Sequence, residues 1–154
     1  MGPPSLSSVK SHSGALTVHV RVDGKFIQPE GLRKLVDTVG CGSVVSFVGL
    51  TRGFEQGSVV ERLEFEAWEE ELPRVLQKIA LQSITKFGVK CVVIAHRTGS
   101  VEPGDTIVCI HVGSEHRREG FAACSWLISE LKNQAPLWKK EIREDGEYWK
   151  SGLG

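Results

Sequence analysis

The sequence has no net charge, because 19 Lys and Arg residues balance 19 Asp and Glu residues among its 154 residues. A protein that binds nucleic acid through overall electrostatic attraction is usually basic, so this balance argues against such a partner. No apolar run approaches the ~18 residues that a membrane-spanning helix needs. The N-terminus also lacks the charged segment and the apolar segment of a signal peptide. We therefore expect a cytoplasmic protein with no nucleic-acid partner and no membrane partner.

Several catalytic and metal-binding motifs are missing as well. The sequence contains no phosphate-binding glycine loop, no H-E-x-x-H zinc motif and no G-x-S-x-G nucleophile motif. Its four cysteines form no C-x-x-C pair and have no ligand-like spacing with histidine. Such cysteines are typical of buried, reduced thiols in the cytosol, so we expect no metal site and no cofactor. The cysteines are Cys41, Cys91, Cys109 and Cys124.

The length of the chain predicts one domain over 15–154, preceded by a flexible N-terminal leader over 1–14. Alternating apolar residues predict strands, and apolar residues at helical spacing predict helices. Hairpin-type links between the strands indicate an α+β domain with a mixed, mostly antiparallel sheet. The predicted strands are 15–21, 43–50, 59–68, 90–97 and 106–113, with a short strand or tail near 148–149. The predicted helices are 29–39, 69–87 and one that begins near 114.

This last helix carries positive charge at both ends. Its start contains His116 and Arg117, directly after Ser114, which is a candidate N-cap. Cations are unfavourable at a helix N-terminus, where free N–H groups attract an anion. Either Glu115 and Glu119 pair with these cations, or a bound anion does. The predicted apolar face consists of Phe121, Cys124, Leu127, Ile128 and Leu131.

Two more cationic positions follow predicted strands. Arg52 comes directly after a buried strand in which Gly49 suggests a bulge or a close backbone approach, so its side chain can point into a cleft. A solvated loop arginine explains Arg52 equally well. His96 lies at the end of another strand, where a structural histidine is a better explanation than a catalytic one.

Lys132 and Lys139 form the last candidate pair. Lysine becomes a nucleophile or an acid–base group when burial or nearby cations favour its neutral amine. Pro136 interrupts the chain between the two lysines, so the chain can fold Lys139 back towards Lys132. Two ordinary surface lysines are the simpler explanation for this pair alone. Taken together, the cationic positions suggest one basic pocket for a phosphorylated, anionic small molecule.

Five ordered motifs resemble the MoaE family, the large catalytic subunits of molybdopterin synthase, over about 15–150. Their order and spacing make the resemblance much more specific than any single motif. The motifs are Phe47–Arg52, Phe65–Trp68, His96–Gly99 with Gly104–Asp105, Ser114–Arg117, and Leu131–Lys132 followed by Pro136–Glu141.

The resemblance implies a sulfurtransferase of molybdenum cofactor biosynthesis. Such an enzyme converts cyclic pyranopterin monophosphate into molybdopterin by adding two sulfurs as a dithiolene. The sulfur comes from the C-terminal thiocarboxylate of a small ubiquitin-like subunit, MoaD. The resemblance further implies a dimer of large subunits within a heterotetramer, and an α/β hammerhead fold with an additional antiparallel β subdomain.

The resemblance also implies roles for individual residues. Lys132 is the expected central catalytic group, and Lys139 is expected to assist it and to hold the thiocarboxylate tail. The expected substrate-binding residues are Arg52, His116, Arg117 and Phe47.

Three positions differ from the usual family pattern. Phe65 and Trp68 stand where tyrosines are usual, and Gly53 stands where asparagine is common. Two other functions stay open from the residues. One is a non-catalytic module that binds an anion or a pterin. The other is an interaction protein that pairs through an exposed strand edge at Val59–Trp68.

Overall fold

The structure is a computed structural model that describes residues 5–10, 16–55 and 57–150. Within these residues the chain forms two sheets and three helices, which confirms the α+β prediction. The strands are β1 Ser5–Lys10, β2 Leu16–Asp23, β3 Ser43–Leu50, β4 Phe54–Glu55, β5 Ser58–Ala67, β6 Cys91–Arg97, β7 Gly99–Val101, β8 Thr106–Ser114, β9 Leu137–Arg143 and β10 Gly146–Lys150. The helices are α1 Pro29–Arg33, α2 Glu71–Phe87 and α3 Arg117–Gln134.

The first sheet has the strand order β1-β2-β6-β8-β3. Strands β2 and β6 are parallel, and the other neighbours are antiparallel, so the sheet is mixed and mostly antiparallel as predicted. All seven residues of β6 are buried. Cys91, Val93 and Ala95 pack towards α1, whereas Val92 and Ile94 pack towards α2 and α3. Burial on both faces explains why this strand has a continuous apolar sequence.

Helices α2 and α3 cover the same face of the first sheet. α2 ends where predicted, at Gly88, which adopts a left-handed conformation with φ of 71°. In α3 the buried positions Gly120, Cys124, Leu127 and Leu131 follow a helical spacing. Phe121 was predicted on this face, but it is 62% exposed. Phe121 directly follows Gly120, the first buried residue of α3. A Cβ atom at Gly120 would lie 2.7 Å from Ser114 Oγ, so only glycine fits at that position.

The second sheet has the order β10-β9-β5-β4, and β7 also pairs with β5. It is the antiparallel subdomain that the resemblance implied. β9 pairs with one side of β5, while β4 and β7 pair with the other side. Because β5 has partners on both sides, the structure disfavours the alternative of an interaction protein that pairs through an exposed strand edge at Val59–Trp68. β9 was not predicted, because charged residues interrupt its apolar pattern. Two of these are buried as a pair: Arg143 Nε donates to Glu141 Oε1 at 2.9 Å.

The ends of some elements also differ from the predictions. α1 is shorter than the predicted helix 29–39, and the chain continues as a turn that still buries Val36. Strand β1 lies within the predicted flexible leader and pairs antiparallel with β2, with Ser8 Oγ 2.8 Å from His19 Nδ1. Backbone pairing with β2 orders a segment whose own sequence has few apolar residues. Residues 1–4 and 11–14 of the leader, and the first residue of the predicted strand 15–21, lie outside the described residues.

Across the described ranges, no helix is both long enough and apolar enough to cross a bilayer.

Leu127 should contribute strongly to stability, because it is fully buried between α3 and the first sheet. We expect Leu127→Ala to lower the free energy of unfolding by about 2–5 kcal/mol through the loss of buried surface and the cavity left behind. Urea denaturation would measure this change. Ser125→Ala is the control on the exposed side of the same helix, with an expected change within about 0.5 kcal/mol. Equal changes in the two variants would contradict this packing.

Candidate active site

A pocket of about 290 Å³ lies where the last turn of α3 crosses the end of the first sheet. Its wall is mostly apolar, and two of its side chains are ionisable, those of His96 and Lys132. An apolar wall with a few polar groups is typical of a small-molecule site. The lining residues are Phe47, Val48, Gly49, Leu50, Phe65, His96, Ile107, Val108, Ile110, Ile128, Leu131 and Lys132.

The end of β3 forms one wall of the pocket. Phe47 pairs with Ile110 of β8, and both lie on the helix-covered face of the sheet. The pairing register then shifts between Gly49 and Leu50. A Cβ atom at Gly49 would lie 2.5 Å from Val108 Cγ1, so only glycine lets β3 approach β8 this closely. The predicted bulge and close approach at Gly49 are both present, and they shape the pocket beside Phe47.

Lys132 lies in the last turn of α3 and lines the pocket while remaining exposed. A cation is favourable at this end of a helix, where the free carbonyl groups carry partial negative charge. The preceding residue, Leu131, is buried and lines the same pocket. Packing of Leu131 therefore fixes the helical turn, and the Lys132 side chain stays accessible to a ligand.

Lys139 approaches the same region from the second sheet. It lies on β9, directly opposite Phe65 of β5, and it is half-buried. Directly opposite residues of antiparallel strands point to the same face of a sheet. Because Phe65 lines the pocket, Lys139 lies on the pocket side of β9. The chain does turn back after α3, as the break at Pro136 suggested.

Arg52 is exposed and follows β3, two residues after Leu50 of the pocket wall. Its loop is held in place by backbone hydrogen bonds to the turn before β8. Thr51 N–H donates to Asp105 O at 3.1 Å, and Gly104 N–H donates to Thr51 O at 2.9 Å. These bonds fix the start of the loop, so Arg52 is placed beside the pocket rather than in its wall.

His116 and Arg117 lie at the other end of α3 from Lys132. Fifteen residues separate Arg117 from Lys132, which corresponds to roughly 22 Å along a helix. One chain therefore does not assemble the single basic pocket that the sequence suggested. His116, not Ser114, is the N-cap residue, and its side chain makes no capping bond. Ser114 is the buried last residue of β8, and its Oγ donates to His116 O at 2.6 Å.

His96 is the pocket residue whose position the sequence did not predict. It was expected to be structural, and its Nδ1 does bond to Arg97 O at 2.6 Å. Its ring also packs edge-on against Phe65, with the ring centroids 5.3 Å apart. Burial lowers the pKa of His96 to about 4. The hydrogen bond to Arg97 O raises this pKa and the Arg97 charge lowers it, and the effect of burial is the largest of the three. His96 is therefore neutral near pH 7.

The other unpredicted pocket residues are apolar, and they come from separate elements. Phe65 and Ile128 belong to β5 and α3, which are far apart in sequence. The helical spacing of α3 predicted that Ile128 lies on the apolar face, and the alternating sequence of β5 predicted a strand. No sequence signal predicted that these two side chains meet, because that contact depends on how the second sheet docks.

The cysteines do not enter the pocket. All four are free thiols, three of them buried and Cys41 half-buried. Burial raises the pKa of Cys109 to about 12 and that of Cys124 to about 11, so both stay protonated and poorly nucleophilic. Within residues 5–10, 16–55 and 57–150, no group of three or more His, Cys, Asp or Glu side chains could hold a metal ion.

Comparison with known proteins gives one consistent family. Residues 22–134 match the family model described as MoaE protein. The chain is 35% identical over 118 residues to the molybdopterin synthase catalytic subunit of Pyrococcus abyssi, covering 77% of this chain and 80% of that protein. It is 38% identical over 120 residues to the molybdopterin synthase catalytic subunit of Arabidopsis thaliana, covering 76% of this chain and 61% of that protein.

Solved structures agree with this result. Molybdopterin synthase from Staphylococcus aureus has a TM-score of 0.80 and 34% sequence identity, covering 84% of this chain and 94% of that chain. A chain from the complex of subunits 1 and 2 of molybdopterin-converting factor from Helicobacter pylori has the same fold, with a TM-score of 0.70. That match is 19% identical and covers 84% of this chain and 88% of the other.

The buried histidine of the pocket predicts a specific loss of stability in acid. The pKa of His96 is about 4 in the fold, against an ordinary 6.5. Between these values the unfolded chain binds a proton that the folded chain does not. Stability should therefore fall as the pH drops from 6.5 towards 4, by roughly 3 kcal/mol at most from this group.

Urea denaturation across this pH window would measure the loss, with His96→Asn as the comparison. The variant should lose the contribution of His96 and retain that of the other described histidine and carboxyl groups whose pKa values are lowered in the fold, which are His19, His111, Asp23 and Glu64. If wild type and variant lose the same free energy of unfolding, His96 is not the source.

Proposed function

This chain belongs to the MoaE family of molybdopterin synthase catalytic subunits, and we propose that it transfers sulfur to cyclic pyranopterin monophosphate to form the dithiolene of molybdopterin. The sulfur donor is the C-terminal thiocarboxylate of a small, ubiquitin-like MoaD-type subunit. The observation that carries this proposal is an apolar pocket with Lys132 in its wall. Lys139 lies on the face of the second sheet that borders this pocket.

The pocket suits two anionic reactants. The thiocarboxylate and the substrate phosphate are both negative, and a cation beside an apolar wall attracts an anion more strongly than it would in bulk water. In each transfer the thiocarboxylate sulfur forms a bond to a substrate carbon while a carbon–oxygen bond at that carbon breaks, and the oxygen leaves as a phosphate oxygen or as water. Water then cleaves the bond between that sulfur and the acyl carbon of the donor, whose terminal glycine leaves as a carboxylate. Lys132 is the catalytic group that stabilises the charge developing in these steps, and Lys139 assists it and holds the donor tail.

The apolar residues of the pocket would hold the pterin. Phe47 and Phe65 present aromatic surface from two different sheets. A planar heterocycle packs well against such surface. Arg52 lies just outside the wall, where its guanidinium can reach a phosphate group at the pocket mouth.

The sulfur donor requires a protein partner. The Helicobacter pylori structure is described as a complex of two subunits of molybdopterin-converting factor. We propose that this chain likewise binds a small subunit, as a homodimer within a heterotetramer in the cytoplasm.

The separation along α3 gives the second copy a role in the site. His116 and Arg117 cannot reach a ligand at Lys132 of the same chain, because roughly 22 Å of helix separates them. In a two-fold dimer, each chain can place the start of its α3 near the pocket of the other. Each site would then contain Lys132 from one chain, with His116 and Arg117 from the second.

Removal of Lys132 tests the catalytic assignment. We expect Lys132→Ala to lower dithiolene formation at least about 100-fold, because the pocket loses the cation that stabilises its anions. The measurement is product formation from the chain, a thiocarboxylated small subunit and cyclic pyranopterin monophosphate. Lys78→Ala is the matched control, since Lys78 is an exposed lysine on α2 that lies outside the pocket.

The outcomes separate the functions. Full activity in both variants would keep the enzyme and remove Lys132 from the reaction. Binding of the pterin without product in the wild type would favour the non-catalytic pterin-binding module.

Mixing two inactive variants tests the shared site. Chains with Lys132→Ala and chains with Arg117→Ala should each be nearly inactive alone. After exchange of subunits, half of the dimers contain one of each chain, and one of their two sites is intact. We therefore expect about a quarter of wild-type activity to return. If each site uses residues of one chain only, mixing will restore nothing.

A further inference from the structure

His96 is a polar residue in an apolar wall, and the sulfur-transfer chemistry does not use it. It is only 2% exposed, yet it lines the pocket together with Lys132. An isolated polar group in such a place costs free energy unless it is hydrogen-bonded. The hydrogen bond at Nδ1 gives one ring nitrogen a partner, whereas the other nitrogen, Nε2, needs a partner of its own.

The partner of Nδ1 determines the tautomer. A backbone carbonyl can only accept, so Nδ1 carries the hydrogen and donates it to Arg97 O at 2.6 Å. Because the neutral ring has one N–H, Nε2 holds a lone pair and can only accept. Among the described residues, the hydrogen bond of the His96 ring is the one at Nδ1, and Nε2 does not belong to the buried atoms that lack a partner, which fits an atom that the pocket leaves accessible. Nε2 is also the nitrogen farther from the backbone, on the part of the ring that extends from β6.

The basicity of the ring limits its role. An efficient general base has a pKa near the working pH, whereas burial holds the pKa of His96 at about 4. A proton taken from a substrate would be held weakly. A hydrogen-bond acceptor needs only the lone pair, so acceptance is the role that this environment favours.

The surroundings indicate what kind of donor fits. Phe47 and Phe65 give the pocket flat aromatic surface, and Lys132 provides a cation at another point of the wall. The matching ligand has a planar ring with an N–H on its edge and a negative charge elsewhere. Pterins have ring and amino N–H groups, and the proposed substrate also carries a phosphate.

We propose that His96 Nε2 accepts a hydrogen bond from an N–H of the pterin, which makes His96 a specificity-determining residue of the pocket. This inference rests on the proposed function, because it takes the substrate class from it. The pocket would then select heterocycles that present a donor at this point, since one without a donor would leave Nε2 buried and unpaired.

Two substitutions separate the structural bond from the proposed one. In His96→Asn, the amide can replace Nδ1 as the donor to Arg97 O, but nothing replaces Nε2. In His96→Gln, the longer side chain can place its amide oxygen near the position of Nε2, at the cost of the bond to Arg97 O. A purely structural histidine should therefore tolerate Asn better, whereas a substrate acceptor should tolerate Gln better.

The experiment measures cyclic pyranopterin monophosphate binding by calorimetry and turnover in the reconstituted synthase, with the melting temperature of each variant. We expect His96→Asn to weaken binding and to raise KM about tenfold, with kcat nearly unchanged, because a bond of this kind stabilises bound substrate and transition state alike. We expect His96→Gln to bind within about threefold of the wild type, even if it melts at a lower temperature.

Unchanged binding in His96→Asn would overturn the inference. The inference would also be overturned if the variant with the lower melting temperature were always the one that binds the pterin more weakly. Wild-type protein that neither binds the pterin nor forms product would instead refute the proposed function. The two failures are thus distinguishable by the wild-type arm alone.

Discussion

The burial of β6 and β8 on both faces is the constraint on which the rest of the structure depends. Each strand must supply apolar side chains alternately to α1 on one face and to α2 and α3 on the other. A polar residue inside this framework needs a partner, as His111 of β8 has in Pro29 O at 2.9 Å, and polar groups open to a ligand lie at the strand ends, where the cover is incomplete. The pocket lies at such an end, and His96 is the residue at which the apolar run of β6 gives way to polar groups.

The second sheet completes the pocket from outside this framework. Through Phe65 it closes the wall opposite Phe47, and through β9 it brings Lys139 to the same side. β9 could be placed there because its buried charges are paired: Glu141 bonds to Arg143 and also lies 3.4 Å from Lys150. A strand with unpaired buried charges would be costly in this position. The lysines of the site are thus held by one helix and one strand that belong to different layers.

Local sequence patterns predicted most of the fold because local physics determined it. The helical spacing of α2 and the glycine that ends it were visible without any knowledge of tertiary structure. The same holds for the strand Ser43–Leu50, with Gly49 near its end. β9 was missed because ion pairing, which a hydropathy pattern does not show, permits its burial. Phe121 was misplaced because the buried row of α3 is set by the close approach of Gly120 to Ser114, a contact between elements.

The site was predictable to a similar extent. Phe47 and Lys132 were named as candidates from motifs, and they do line one pocket, whereas the participation of His96 required knowledge of how β5 packs on β6. The separation of Arg117 from Lys132 could have been read from the sequence, because both were assigned to one helix and the length of a helix follows from its residue count.

That shared helix has an evolutionary consequence. α3 is a rigid spacer with a cationic group at each end, and its buried row fixes its rotation against the first sheet. Insertion or deletion of a single residue between the two ends would turn one end by roughly 100° relative to the other and shift it by about 1.5 Å. Drift in the length of this segment is therefore much more restricted than drift in its exposed side chains. Homologous chains should vary in the exposed side chains of α3, whereas the number of residues between its two ends should stay constant.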